Sequence, residues 1–452
     1  MSLSHWEAHE YQLRAIDFVL NCFERENSAG LFLAPGLGKT SMSLEVFMRL
    51  RTAGLAKKAL VVAPLNVAQS VWPFEIKKWL NFYKLTSVVL HGPTKDQLMY
   101  KDVDVYIINY EGLLWLFDQP KFWKVEMLIF DELTRMKSWK SQRVKAIRPF
   151  LKTFKYRLGL TGTPSPNGFE DLFGQTYMLD VGKRFGHRKT LFERKYFTES
   201  FGYTGKPKLL PGAKEEISEK LSTLAYSLNA HDYLKLPTEI YNVISIDLPP
   251  KLRAKYNELK NEAIVELENE KVITAMTAGI LTTKLRQFLS GNVYVNGQVE
   301  VIHSVKYDYL KQFLEDSTEP VLVAYQYRHE AAHILKIIPG AVPIGSGMSP
   351  KQLNMTIAKW NKGEIPVLVG NPQSIGHGLN LQGGGRTIVF FSCDFNLENY
   401  LQFIKRLARQ GQEADHVFIH HLVIKDSIDE YILQVLTKKD SLQTSLLNYL
   451  RK

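Results

Sequence analysis

The chain has 452 residues, 45% of them hydrophobic and 23% charged, and carries a formal net charge of +11. That length exceeds one ordinary core and predicts two domains or more, and the composition is that of a globular rather than a disordered chain. No apolar run reaches the roughly 18–20 residues that span a bilayer, the opening Met1–Glu7 lacks the form of a secretory signal, and Cys22 and Cys393 give neither a disulfide framework nor a zinc pattern. A cytoplasmic protein with reduced thiols and no membrane association is expected, and the positive charge favours a polyanionic partner.

In chain order, the apolar run Leu31-Phe32-Leu33 leads into Ala34-Pro35-Gly36-Leu37-Gly38-Lys39-Thr40 and a helical stretch from Ser41 to Leu50. Strand, glycine-rich turn and helix in that order make a phosphate-binding loop. Its glycines let backbone N–H groups curl around phosphate oxygens, Lys39 sets a cation at the β and γ phosphates, and the Thr40 hydroxyl can ligate magnesium. The strict pattern has a glycine where this chain has Leu33. Short β-rich runs follow at 59–63, 105–108, 127–130 and 156–160, alternating with amphipathic stretches, which implies a parallel sheet covered by helices on both faces. Asp131 and Glu132 stand directly after the third run, where a parallel sheet presents its ligand-binding edge. Asp131 is placed to hold magnesium through water, and Glu132 to orient and polarise the water that attacks the γ phosphate. The fourth run closes on Thr161-Gly162-Thr163-Pro164, a tight turn whose hydroxyls can relay the state of that phosphate. Arg135, Lys137, Lys140, Arg143 and Lys145 come just after the acidic pair, with Trp139 among them; they are either a solvated helix face or part of a nucleic-acid track.

From about residue 181 to 300 the texture turns charged and helical, as in Leu252 to Lys271, and ends on Asn296-Gly297 between alternating runs, a hairpin signal. The segment Phe201 to Gly212 reads as an exposed loop. Buried-strand runs return at 321–324, 367–369, 387–391 and 417–419. The expected domains are 1–180, 181–300 and 301–452. In the last of these, Arg406 and Arg409 lie three apart, which on a helix puts both guanidinium groups on one face. Because that domain has no phosphate loop of its own, the pair reads as arginine fingers for the first domain's nucleotide.

Taken in order, His9-Glu10-Tyr11-Gln12, the loop 36–40, Val62-Ala63-Pro64-Leu65, Asp131-Glu132, the turn 160–164, Gly376-His377-Gly378-Leu379-Asn380-Leu381 and the run Gln402 to Gln412 resemble the superfamily-two helicase core. Gly-Leu-Gly-Lys-Thr, Gly-x-Gly-Leu-Asn-Leu, Asp394-Phe395-Asn396 and Arg409-Gln410-Gly411-Gln412 are most similar to its Swi/Snf-like branch. The resemblance covers almost the whole chain and implies an α/β fold of two RecA-like parallel-sheet lobes with Swi/Snf-type helical insertions. It implies ATP and Mg2+ as cofactors, with Gln12 on adenine, Gly36, Leu37, Gly38, Lys39 and Thr40 on the phosphates, and magnesium at Thr40 and Asp131. By the same resemblance Lys39, Asp131, Glu132, Arg406 and Arg409 are catalytic, Thr161 and Thr163 couple hydrolysis to motion, and Gly376, Gly378 and Asn380 touch nucleotide and DNA. The implied activity is ATP-driven translocation along, or remodelling of, double-stranded or branched DNA by a monomer. A strand-separating or branch-migration helicase, a non-cycling ATP-dependent binding module and an RNA-stimulated ATPase are the alternatives.

The chain departs from the family pattern at Leu133-Thr134, where Asp-Glu-x-His is usual, at Ala34 and Pro35, and at Ala408, where a histidine is common. No departure removes a group that must touch phosphate or metal. Compact versions of this kind resemble proteins encoded by bacteria and bacteriophages, so the expected compartment is the cytoplasm of a bacterial or phage-infected cell.

Overall fold

β-Branched and aromatic side chains crowd the short apolar runs, and a strand covered on both faces is the structure that buries such a run whole. A computed structural model describes residues 4–450 apart from 66, 120–124, 199–206, 229–232, 235, 270–274, 296–297, 346 and 376–378. Its first sheet is built from β1 (Ser28–Leu33), β2 (Ala59–Ala63), β3 (Ser87–Val89), β4 (Val105–Asn109), β5 (Met127–Asp131), β6 (Tyr156–Thr161) and β7 (Ala225–Leu228). They run parallel in the order β3-β4-β2-β5-β6-β1-β7, and every residue of β1, β2, β4, β5 and β6 is buried.

The second sheet contains β8 (Thr238–Ile246), β11 (Val321–Ala324), β12 (Ala341–Ile344), β13 (Val367–Gly370), β14 (Thr387–Phe390) and β15 (His416–Ile424), parallel throughout in the order β12-β13-β11-β14-β15-β8. Alternation along its strands separates two cores: Val321 and Val323 point into one with Tyr307 and Phe391, Leu322 and Ala324 into the other with Trp360 and Phe403. Burying a Val, Leu or Phe side chain of these cores contributes roughly 1.5–3 kcal/mol. A separate antiparallel pair, β9 (Asn292–Val295) and β10 (Gln298–Val301), is the hairpin expected from Asn-Gly, although Asn296 and Gly297 themselves lie outside the described residues. Residues 201–206 of the loop at 201–212 lie outside them as well.

Two compact units result, Met1–Leu234 with Lys439–Lys452, and Lys235–Lys438. The charged stretch from 181 to 300 holds the helices Pro250–Asn269 and Ala275–Leu289, and also β7 and β8, which its composition hides. The helix Ile428–Leu450 starts in the second unit and ends in the first, where Leu446 and Leu450 join the core of Phe130, Leu133 and Phe173.

Candidate nucleotide site and arginine cluster

The phosphate loop sits between β1 and α2 (Lys39–Thr52), at the C-terminal edge of the first sheet. Gly36 and Gly38 have φ of 91° and 81°, a region that only glycine enters without strain, so the loop's backbone bends as a phosphate cradle requires. A Cβ at Gly38 would lie 2.4 Å from the Gln12 amide nitrogen. Gln12 is buried on α1 (Glu10–Glu26); its Nε2 donates to the Leu37 carbonyl at 3.1 Å and its Oε1 accepts from the His9 N–H at 3.0 Å. Lys39 folds back to donate to the carbonyls of Leu33 at 2.7 Å and Ala34 at 3.2 Å. Burial pushes its pKa down, against the opposite pull of Glu132 and Asp131 nearby.

Asp131 is the last residue of β5 and is 7% exposed. Burial raises its pKa, while a 2.8 Å hydrogen bond from the Trp72 indole N–H and the charge of Lys39 oppose that shift. Glu132 takes φ 59° and ψ 61°, a left-handed conformation that costs a non-glycine residue of the order of 1–2 kcal/mol. The Tyr110 hydroxyl holds this turn, reaching the carbonyls of Asp131 at 2.7 Å and Glu132 at 3.0 Å. On β6, adjacent to β5, Thr161 Oγ1 accepts from the Thr163 N–H at 3.1 Å, and the buried Thr163 hydroxyl has no partner among the described residues. A Cβ on Gly162 would stand 3.2 Å from Pro35 Cδ and 3.3 Å from the Leu33 carbonyl, so the threonine turn lies directly against the phosphate loop.

The residues present fit a magnesium nucleotide. Thr40 opens a helix behind two left-handed glycines, and Asp131 is a buried carboxylate whose ionised form a cation would favour.

In the second unit the arginine pair is not helical. The helix Leu397–Ile404 stops short of it, and tight bonds from Arg406 N–H to the Phe403 carbonyl and Leu407 N–H to the Ile404 carbonyl turn the chain so that Leu407 and Ala408 enter the core. The one-face argument from spacing therefore fails. The two side chains converge all the same, with Arg406 donating to the Leu379 carbonyl at 2.9 Å and Arg409 to Asn380 Oδ1 at 2.6 Å. Burial lowers the Arg409 pKa, and its Nε has no partner among the described residues. Asn380 is thus joined to the arginines, whereas Gly376 and Gly378 lie outside the described residues. Asn396 caps the same helix through the Asn399 N–H at 3.1 Å, and Asp394 Oδ1 accepts from the Asn396 N–H at 2.9 Å.

Trp72 and Tyr110 escaped the sequence reading. Trp72 lies in the segment after β2 and Tyr110 directly after β4, and only the strand order reveals that both reach the acidic turn.

Comparison with known proteins places these features in a family. Residues 11–290 match the SNF2-related domain and residues 305–411 the helicase conserved C-terminal domain. Putative protein p41 of Acyrthosiphon pisum secondary endosymbiont phage 1 is 35% identical over 98% of both chains. The chromatin structure-remodeling complex subunit snf21 of Schizosaccharomyces pombe is 23% identical over 94% of this chain, which spans 38% of that relative. The Sulfolobus solfataricus SWI2/SNF2 ATPase core in complex with dsDNA covers 99% of this chain and 96% of its own, with 21% identity and a TM-score of 0.46. With its two parallel-sheet lobes, the chain belongs to the SNF2-related family, and is a Swi/Snf-like DNA-dependent ATPase of the compact phage type.

Proposed function

We propose that the protein is a translocase that uses ATP hydrolysis to move along double-stranded DNA. The observation that carries this reading is the convergence, on one sheet edge, of a left-handed glycine loop, the Asp131-Glu132 turn and a threonine turn pressed against the loop at Gly162. In this reading Lys39 leaves the Leu33 carbonyl for the β and γ phosphates, the N–H groups at the start of α2 hold phosphate oxygens, and Gln12 reads adenine from its seat beside Leu37. Glu132, held in its strained turn, orients the attacking water and takes its proton. Magnesium, bound through Thr40 and Asp131, would supply charge neutralisation at the phosphates. Arg406 and Arg409 supply positive charge to the transferring phosphoryl group, and Asn380 aims Arg409. A turn next to the loop whose Thr163 hydroxyl has no partner among the described residues supports Thr161 and Thr163 as the relay from phosphate state to DNA movement.

Steady-state ATP hydrolysis with duplex, single-stranded DNA, a four-way junction, RNA or no polymer tests this. Duplex is expected to stimulate turnover, and Lys39→Ala or Glu132→Gln to cut it by about 10²–10³-fold or more. Wild-type turnover in both variants would refute the site; greater stimulation by the junction than by duplex would reassign the substrate to branched DNA.

A further inference from the structure

Away from the phosphate loop, the first unit holds a solvent-open recess of about 950 Å3, between the segment that follows the acidic turn and the start of the helix Lys189–Tyr196. One side carries Lys140, Lys145 and Arg148, the other His187, Arg188 and Lys189. Glu193 is the one carboxylate among the lining residues, and it is spent on Lys189 at 3.1 Å. Among the described residues Lys140, Lys145, Arg148 and Arg188 form no ion pair.

Glycines at close approach fix the first side to the helix Leu172–Asp180 and the second to the turn that follows it. A Cβ on Gly174 would lie 2.7 Å from the Met136 carbonyl and 2.8 Å from that of Lys137; one on Gly182, φ 86°, would lie 2.8 Å from both the Gly186 carbonyl and His187 Nδ1. The floor is aromatic but already occupied. Trp139 meets Phe173 and Tyr177 edge-on, with ring centroids 4.9 and 4.8 Å apart, and the Arg148 guanidinium lies 4.5 Å over its ring. That packing removes the indole as a platform for a base and fixes one guanidinium at the recess instead.

A rigid, open hollow with several uncompensated cations and no free aromatic platform selects for repeated negative charge rather than for bases or apolar side chains. Roughly 10 Å across, it spans about three nucleotides of axial rise at ~3.4 Å each. We propose that this recess is a docking site for the DNA backbone, indifferent to sequence, with Lys140, Lys145 and Arg188 as its principal phosphate contacts. The proposal rests on the DNA-dependent reading above and adds to it where on the first unit the polymer is held.

The test is the salt dependence of duplex binding, followed by fluorescence anisotropy between ~50 and ~200 mM salt. Wild type is compared with Lys140→Gln/Lys145→Gln/Arg188→Gln, with the charge-preserving Lys140→Arg/Lys145→Arg/Arg188→Lys, and with Lys57→Gln/Lys84→Gln/Lys101→Gln, which removes as much charge from exposed positions elsewhere on the unit. The neutral recess variant is expected to lower the slope of log K against log salt by about 2–3, near 0.9 for each lost phosphate contact, on duplexes of any sequence. The charge-preserving variant is expected to keep the wild-type slope, which separates lost contacts from misfolding. An unchanged slope in the neutral variant would overturn the site and leave an acidic protein segment as the better occupant; an equal loss in the remote-lysine control would overturn it too. Wild type that binds no duplex and is not stimulated by it would sink the DNA reading together with the recess.

Discussion

Glu132 is held left-handed by its neighbours, since the Tyr110 hydroxyl grips the carbonyls on both sides of the turn. Asp131 is costly in another way: burial disfavours its charge, and one indole hydrogen bond and a folded-back lysine offset that only in part. A carboxyl whose folded pKa lies above its unfolded value is easiest to bury when protonated, so the cost grows as pH rises from the unfolded pKa of ~3.9 through the raised folded value. Asp131→Asn keeps an acceptor for Trp72 and removes the charge. It is expected to abolish turnover while stabilising the nucleotide-free protein at neutral pH by about 1 kcal/mol, roughly 2–4 °C in Tm for a unit of this size, with the gain vanishing at low pH. Thermal melts of both proteins at neutral and acid pH check this; an Asn variant less stable at neutral pH would mean that Lys39 fully compensates the carboxylate. Lys39, Asp131 and Glu132 were legible in the sequence because a phosphate loop and an acidic strand end are contiguous motifs. Trp72 and Tyr110 were not, because their partnership with the turn is made by strand order alone.

Within the two large sheets, the strands legible in sequence are the ones with neighbours on both sides. β3, β7, β8 and β12 were not read, and all four are sheet edges. Exposure accounts for two of them, since β3 is half-buried throughout and β8 alternates exposed with partly buried residues, whereas β7 and β12 are only four residues long and β12 contains Pro343. The arginine run failed as a helix for a related reason, since burial of Leu407 and Ala408 won over local helical spacing. Gly174 is the element-scale weak point, because the helix Leu172–Asp180 touches the backbone that follows the acidic turn at this position. Gly174→Ala is expected to cost roughly 1–3 kcal/mol, since carbonyls rather than flexible side chains must give way. It is also expected to lower ATP turnover by displacing the segment after Glu132; a melt and a hydrolysis assay on one preparation check both, and wild-type values in each would show that the segment yields freely.

At the scale of the whole molecule, acid acts on the second unit through its buried histidines. In the second, burial lowers the pKa of His421, which stacks on Phe390 at 5.1 Å, to about 4, and that of His329 to about 4 as well. A depressed imidazole pKa leaves stability intact above ~6.5, the unfolded value, and takes it away as pH falls toward the folded value, by roughly 2 kcal/mol for His421 at pH ~5. Hydrogen exchange across β14 and β15 is expected to accelerate between neutral pH and pH ~5 after correction for intrinsic rates, and less so in His421→Gln; equal acceleration in the two would assign the acid sensitivity elsewhere. The helix Ile428–Leu450 has a consequence of a different kind. Leu446 and Leu450 belong to the first unit's core but are polymerised after the whole second unit, Lys235–Lys438. A ribosome adding ~5–20 residues per second spends roughly 10–40 s between the two parts of that core. During that interval the nascent first unit presents an open apolar seat, and the turns that carry Leu446 and Leu450, not the first sheet, decide when that core is filled.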